Sequence, residues 1–202
     1  SKDRHFMRKT NSILIATYLT TACSFAYAAD FDQSLELQGI GFKVHATNKG
    51  SINTLTIKPK GLKLDNKLIT REINGRVVEA EVADMNADGS PEILVYTTSA
   101  GSGSYGDFIG YAANRKKSLS AIFMPDIMDD KEASAGYMGH DEFSVVETRL
   151  ARRFPIYRPG DTNSNPTGGL RQLYYVLTPG EAGWVLKLDE IVNFSPEDLA
   201  EK

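Results

Sequence analysis

Two stretches of the chain hold residue types at spacings that could do chemistry. Residues 101–106 (Gly-Ser-Gly-Ser-Tyr-Gly) spell G-x-G-x-x-G after the short apolar run Ile93-Leu-Val-Tyr96. A dinucleotide site needs that pattern to open a helix, whose N-terminus then meets the pyrophosphate. Here the following residues, Asp107-Phe-Ile-Gly-Tyr111, are β-like, and no alternating helices exist to build a parallel sheet. A phosphate loop also fails, because Asp107 stands where lysine is required. A serine hydrolase would use Ser102 or Ser104 with His140 as base. No G-x-S-x-G elbow surrounds either serine, and nothing in the sequence brings His140 to them.

The second stretch places Asp84, Asn86, Asp88, Gly89 and Glu92 in the pattern D-x-N-x-D-G-x-x-E. Closely spaced oxygen donors suit calcium. An EF-hand is excluded, since its twelfth position would be Val95 and not glutamate. The pattern is similar to the acidic hairpin loops of calcium-binding β-propeller repeats, here in one copy. The plainer reading is a tight turn, in which Asp and Asn bond their own backbone and Asp88-Gly89 turns a hairpin. The turn is the favoured expectation, with no cofactor, and calcium at Asp84, Asn86, Asp88 and Glu92 is the alternative.

The elements that position these stretches are strands. Ile93 to Tyr96 is short, rich in β-branched and aromatic residues and bounded by turn residues, as expected of a strand buried on both faces. It delivers the chain to a Gly/Ser loop, a common way to present a functional tip. Leu35 and Leu37 alternate with polar residues, then Ile40, Phe42 and Val44 alternate in the other parity, so a bulge or turn falls at Gly39. Leu55 and Ile57 alternate up to Pro59. Val78, Ala80 and Val82 are expected on one face, with Glu79 and Glu81 on a wet face. Residues 108–113, 119–123 and 143–150 read as further strands, with a polar turn at 114–117. Residues 125–142 are irregular, with a helical turn near 128–133, and 158–169 form a long loop. Leu173, Tyr175 and Leu177 pair with Trp184, Leu186 and Leu188 across a turn at 179–183, with Trp184 in the core. Ser195-Pro-Glu197 is a helix start. About ten strand-like segments and no long 3.6-residue period predict an all-β chain, an antiparallel β-sandwich in a single domain.

At the N-terminal end, Arg8 and Lys9 follow Met7, an apolar stretch covers 13–25, and Ala26-Tyr-Ala28 offers a cleavage signal. Residues 1–28 therefore read as upstream residues plus a cleaved secretory signal, leaving 29–202 as the folded part. The whole chain has 23 Lys/Arg and 26 Asp/Glu; four of the basic groups and one acid lie in residues 1–28, so 29–202 carries a net −6. Such a surface disfavours nucleic acid and suits a cationic protein partner. No insertion of residues 29–202 into a membrane is expected. The sole cysteine, Cys23, falls in the leader, which leaves no disulfide or thiol chemistry beyond it. Exposed edge strands keep a homodimer open.

Tyr105, near the end of the Gly/Ser loop, suits a binding contact, because tyrosine offers large area and a hydroxyl at low entropic cost. At this loop the chain resembles a known family. Ser102-Gly103-Ser104-Tyr105 is similar to the S-G-x-Y loop of periplasmic lysozyme inhibitors. Residues 82–92, 98–105, 117–120, 136–143, 153–157 and 180–184 resemble the inhibitors of i-type (invertebrate-type) lysozymes. The resemblance spans about residues 31–194. It implies a secreted periplasmic β-sandwich, not an enzyme, that protects the bacterial wall by plugging the cleft of an i-type lysozyme. It further implies that Ser102 and Tyr105 enter that cleft, and that Tyr137, Met138, Gly139 and His140 form a second contact loop. The rival readings are a calcium- or glycan-binding module of the cell envelope, with Tyr105 and Tyr137 for sugar, and a hydrolase on Ser102 and His140.

Overall fold

The computed structural model describes residues 29–201; the expected leader in residues 1–28 lies outside them. β1 (Phe31–Leu37), β2 (Ile40–Ala46), β3 (Ile52–Lys60) and β4 (Ile69–Asn74) form one antiparallel sheet in that order. Gln38 and Gly39 alone link β1 to β2, at φ of 54° and 80°. Positive φ at both central residues is what the type I′ form of a two-residue hairpin requires, so the parity slip in the sequence is a turn.

The second sheet has eight strands. β5 (Arg76–Ala83), β6 (Glu92–Thr98), β7 (Gly106–Asn114) and β8 (Ser118–Phe123) run as a meander. β9 (Glu142–Val146), β10 (Arg149–Pro155), β11 (Leu170–Pro179) and β12 (Trp184–Phe194) form another. The two halves join where β8 meets β12 in parallel, at Trp184 opposite Ile122 and Val185 opposite Phe123. The order is therefore β5-β6-β7-β8-β12-β11-β10-β9. Its edges, β5 and β9, curl toward each other. Glu81 on β5 accepts the Val145 N–H of β9 at 2.9 Å and also the Tyr96 hydroxyl. The expected wet face of β5 is thus wrong at Glu81, which bridges the edges of a nearly closed sheet.

β6 explains why two apolar layers coexist. Ile93 and Val95 pack with Phe42, Val44, Leu55 and Ile57 of the four-stranded sheet. Leu94 and Tyr96 pack on the opposite side with Leu150, Phe154, Leu173 and Leu186. All four β6 residues are buried, as their composition predicts. The result is the expected all-β, sandwich-like fold, with one parallel pairing added.

Three local expectations need correction. Val78 is exposed, and Val77 is buried with Ala80, because a bulge between Val77 and Glu79 shifts the parity of β5. Pro59 does not end β3, which continues to Lys60. The pairing with β4 stops at Ile57, while that with β2 continues past Pro59, opposite Phe42, to Lys60. Residues 143–150 are not one strand, since β9 turns into β10 through Glu147, at φ 57°, and Thr148. The helical turn expected near 128–133 is found, as a 3-10 turn at Ile127–Asp129 capped by the Asp126 carboxylate and a further turn in which the Ser134 N–H donates to the Asp130 carbonyl at 2.9 Å. The helix start at Ser195 is found: α1 (Pro196–Ala200) has a capping box formed by Ser195 and Asp198. Trp184 is half-buried against the core, and its indole N–H donates to Asn114 Oδ1 at 3.1 Å.

Leu94→Ala should cost about 2–5 kcal/mol in urea unfolding, since it removes a fully buried side chain. Val78→Ala should stay within about 0.5 kcal/mol, because the bulge turns that side chain to solvent. The reverse order would contradict the register of β5.

Candidate functional site

The loop between β6 and β7 closes on itself. The Ser99 N–H donates to the Tyr105 carbonyl at 2.8 Å, and the Tyr105 N–H donates to Ser99 Oγ at 2.9 Å. Two bonds across its neck hold Ser102, Gly103 and Ser104 out as a tip. Ser102 is exposed, and Tyr105 keeps 47% of its surface in solvent.

The tip does not stand alone. The His140 N–H donates to the carbonyls of Gly103 (3.1 Å) and Ser104 (3.0 Å), so the segment of Tyr137, Met138, Gly139 and His140 lies against it. The Tyr105 and Tyr137 rings meet edge to face, with centroids 5.8 Å apart. Gly139, at φ +86°, is what allows this approach: a Cβ there would lie 2.1 Å from the Gly103 oxygen. A third segment, not singled out by sequence, completes the rim. Asn163 Nδ2 donates to the Ser102 carbonyl at 2.7 Å, while its Oδ1 lies 3.1 Å from His140 Nε2. The Tyr157 hydroxyl holds the Asn163 carbonyl at 2.6 Å. Asp161 stiffens this loop by accepting the N–H groups of Arg158 and Thr167.

Beneath the two loops sits an ion pair. Arg152 Nε donates to Asp141 Oδ2 at 2.6 Å, with side-chain exposures of 4% and 0%. Asp141 Oδ1 accepts the Gly106 N–H (2.9 Å) at the base of the first loop and the Tyr137 hydroxyl (2.7 Å) of the second. One carboxylate therefore fastens both loops to β10. Burial opposes the Arg152 charge, but Asp141 outweighs it and holds the guanidinium pKa above its ordinary value. Burial, opposed by the Arg152 charge and aided by Asp141, pushes the Tyr137 hydroxyl up, so it stays protonated as a donor. Sequence reasoning passed over Asp141 and Arg152. Arg152 did carry a signal: it falls between Leu150 and Phe154 at an inward position of β10, where a charge needs a partner.

This arrangement bears on the rival readings. His140 is engaged by Asn163, which contacts Ser102 through the backbone carbonyl, a geometry that orients no serine hydroxyl for attack. The Tyr137 hydroxyl is taken up by Asp141 and Arg152, which fixes this ring as a support for the second loop. Beside Tyr105 an open groove of about 620 Å³ runs past Phe123, Met124, Asp126 and Met128. Phe123 and Met128 are more than half exposed there, and exposed apolar side chains beside a rigid loop suit a protein contact.

The acidic turn is a structured one. Asp84 accepts the N–H groups of Asp88 (3.0 Å) and Gly89 (2.9 Å), and Gln38 Nε2 at 2.8 Å. Asp88 accepts the Ser90 N–H at 2.8 Å, and Asn86 Nδ2 donates to Asp88 Oδ2 at 3.1 Å. Glu92 is fully buried and accepts the Met85 N–H at 2.7 Å. Burial, with the charges of Asp84 and Asp88, pushes its carboxyl up to about 7 against the opposing pull of that hydrogen bond.

Fold and site together define a β-sheet protein that presents preorganised loops on a fastened base. Residues 60–135, 76 of the chain's 202, match the family described as periplasmic lysozyme inhibitor of I-type lysozyme. The match contains the acidic turn and the Ser102–Tyr105 tip, and it names a family of inhibitors, periplasmic, with I-type lysozyme as target. No curated protein and no solved structure matches significantly. No helix among the described residues is long and apolar enough to cross a membrane.

Arg152→Met should lower stability by about 3–5 kcal/mol in urea unfolding, because it strands the buried Asp141 carboxylate. Gly139→Ala should speed hydrogen exchange at the His140 amide, since the added methyl displaces the Gly103 carbonyl that this amide bonds. Unchanged exchange would mean that the two loops are not coupled.

Proposed function

We propose that the protein inhibits an i-type lysozyme in the periplasm by inserting the tip formed by Ser102, Gly103, Ser104 and Tyr105 into the active-site cleft. The observation that carries this reading is the joined pair of loops. An exposed Ser102 and a half-exposed Tyr105 stand on a neck closed by Ser99 and are buttressed by the His140 amide. The family match over residues 60–135 supports the choice of target.

The chemistry follows from the groups present. A lysozyme cleft holds a pair of carboxyl groups and a trough for sugar rings. The Ser102 hydroxyl can donate to a catalytic carboxylate, a charge-assisted bond worth roughly 1.5–3 kcal/mol. The Tyr105 ring can lie where a sugar would lie. Tyr137, Met138, Gly139 and His140 act as the second contact loop: Met138 is 43% exposed beside the tip, whereas Gly139 and the His140 amide set its position. Because the tip is already ordered by its bonds, little conformational entropy is lost on binding. The inhibitor itself carries out no reaction in this scheme. The net −6 of residues 29–202 speeds encounter with a basic lysozyme.

The test is lysis of a cell-wall suspension by i-type, chicken-type and goose-type lysozymes, with and without the protein. Stoichiometric inhibition of the i-type enzyme is expected. Tyr105→Ala should weaken binding by about 2 kcal/mol or more, roughly thirtyfold, and Ser102→Ala should weaken it as well. Full potency in both variants, with melting unchanged, would remove the loop mechanism. The association rate should fall as salt rises, and stopped-flow mixing at two ionic strengths checks this.

A further inference from the structure

Outside the loop site, the described residues hold one cluster of acidic groups with an unmet bonding requirement. Asp84 ends the segment that leaves β5, Asp88 lies at the apex of the turn, and Glu92 opens β6. One carboxylate oxygen from each lies within 4.8 Å of the other two. The ion pairs found among the described residues bring no lysine or arginine to any of the three. Like charges this close repel, and they persist together most easily around a cation.

A second observation, separate from the clustering, points to a ligand. Glu92 has no exposed surface, and its Oε1 has no hydrogen-bond partner. Its Oε2 is taken by the Met85 N–H. A buried carboxylate oxygen without a partner is costly, and native proteins satisfy nearly all such groups. A cation held by the same three carboxylates would give Glu92 such a partner. Burial is graded: Asp88 is exposed, Asp84 half-buried and Glu92 buried, so an ion has a path in from solvent.

The donor set selects the ion. All three side chains offer hard oxygen, and Asn86 Oδ1, which accepts the Asp88 N–H at 3.2 Å, is an amide oxygen beside Asp88. No cysteine or histidine belongs to the cluster, which disfavours zinc and copper. Calcium accepts irregular oxygen shells from a short turn, whereas magnesium demands near-octahedral geometry and sheds water reluctantly. We infer that Asp84, Asp88 and Glu92, with Asn86, bind one calcium ion as a structural cation. Bound there, it ties the end of β5 to the start of β6. Through the 2.8 Å bond from Gln38 Nε2 to Asp84, it also ties the β1–β2 hairpin of the other sheet to the same turn. The site thus braces the base of the strand that carries the exposed loop. This inference does not depend on the inhibitor reading, and its test uses no lysozyme.

The experiment is calorimetric titration of the chelator-treated protein with calcium chloride and, separately, magnesium chloride, with melting curves under both conditions. One-to-one heat with calcium is expected, with a Tm that climbs with the logarithm of calcium concentration. Asp88→Asn, at an exposed position, should fold normally and bind calcium at least tenfold more weakly. Glu92→Gln keeps the shape and the acceptor for the Met85 N–H and should abolish the calcium-dependent rise in Tm. No heat and no Tm shift for the unsubstituted protein at millimolar calcium would overturn the site. Undiminished affinity in Asp88→Asn would overturn its placement. An equal response to magnesium would overturn the assignment to calcium.

Discussion

A strand that is dry on both faces needs an apolar layer on each side. β6 imposes that constraint here. Ile93 and Val95 call for one layer, Leu94 and Tyr96 for another, and the chain supplies them from two different sheets. The four-stranded sheet covers one side. On the other side the eight-stranded sheet curls until β10, β11 and β12 face β6, and Glu81 fastens the two edges. Both ends of β6 then become fixed points. The acidic turn enters at one end and the Gly/Ser loop leaves at the other.

The loop site depends on a second constraint, the burial of one carboxylate. Asp141 is tolerable in a dry position only because Arg152, Tyr137 and the Gly106 N–H all donate to it. Those three donors come from β10, from the second loop and from the root of the first. Satisfying a single acid therefore sets the relative position of both loops. Gly106 is part of the same arrangement, because a side chain there would collide with Asp141. The loops inherit their geometry from the sheet beneath them and need little internal structure of their own.

This division of labour fits a protein that works by contact. The exposed groups, Ser102, Tyr105 and Met138, are adaptable in chemistry but held by backbone bonds and by glycines. The unpaired oxygen of Glu92 lies at the opposite end of β6, away from this surface in the chain.

Much of this was legible in the residues. The run from Ile93 to Tyr96 announced its two-sided burial by composition, the alternating segments announced an all-β chain, and the Ser/Gly/Tyr loop announced an exposed tip by residue type. The family match covers that loop, although it ends before the second one. Local pattern also marked the acidic turn, since Asp and Asn bond their own backbone within a few residues. What it could not supply were relations between residues distant in sequence. The bulge at Val78 reverses a parity that alternation alone read the other way. The partnership of Glu81 with Val145 spans 64 residues, and the contact of Asn163 with Ser102 spans 61. Neighbours along the chain fixed most strand segments, several of the turns and the chemistry on offer at each loop, while the turn at Glu147 and Thr148 escaped them. Only folding settled which charges are buried together, which loops touch and which acid keeps one oxygen unpaired. Those depend on sheet order and curvature, and no local pattern encodes them.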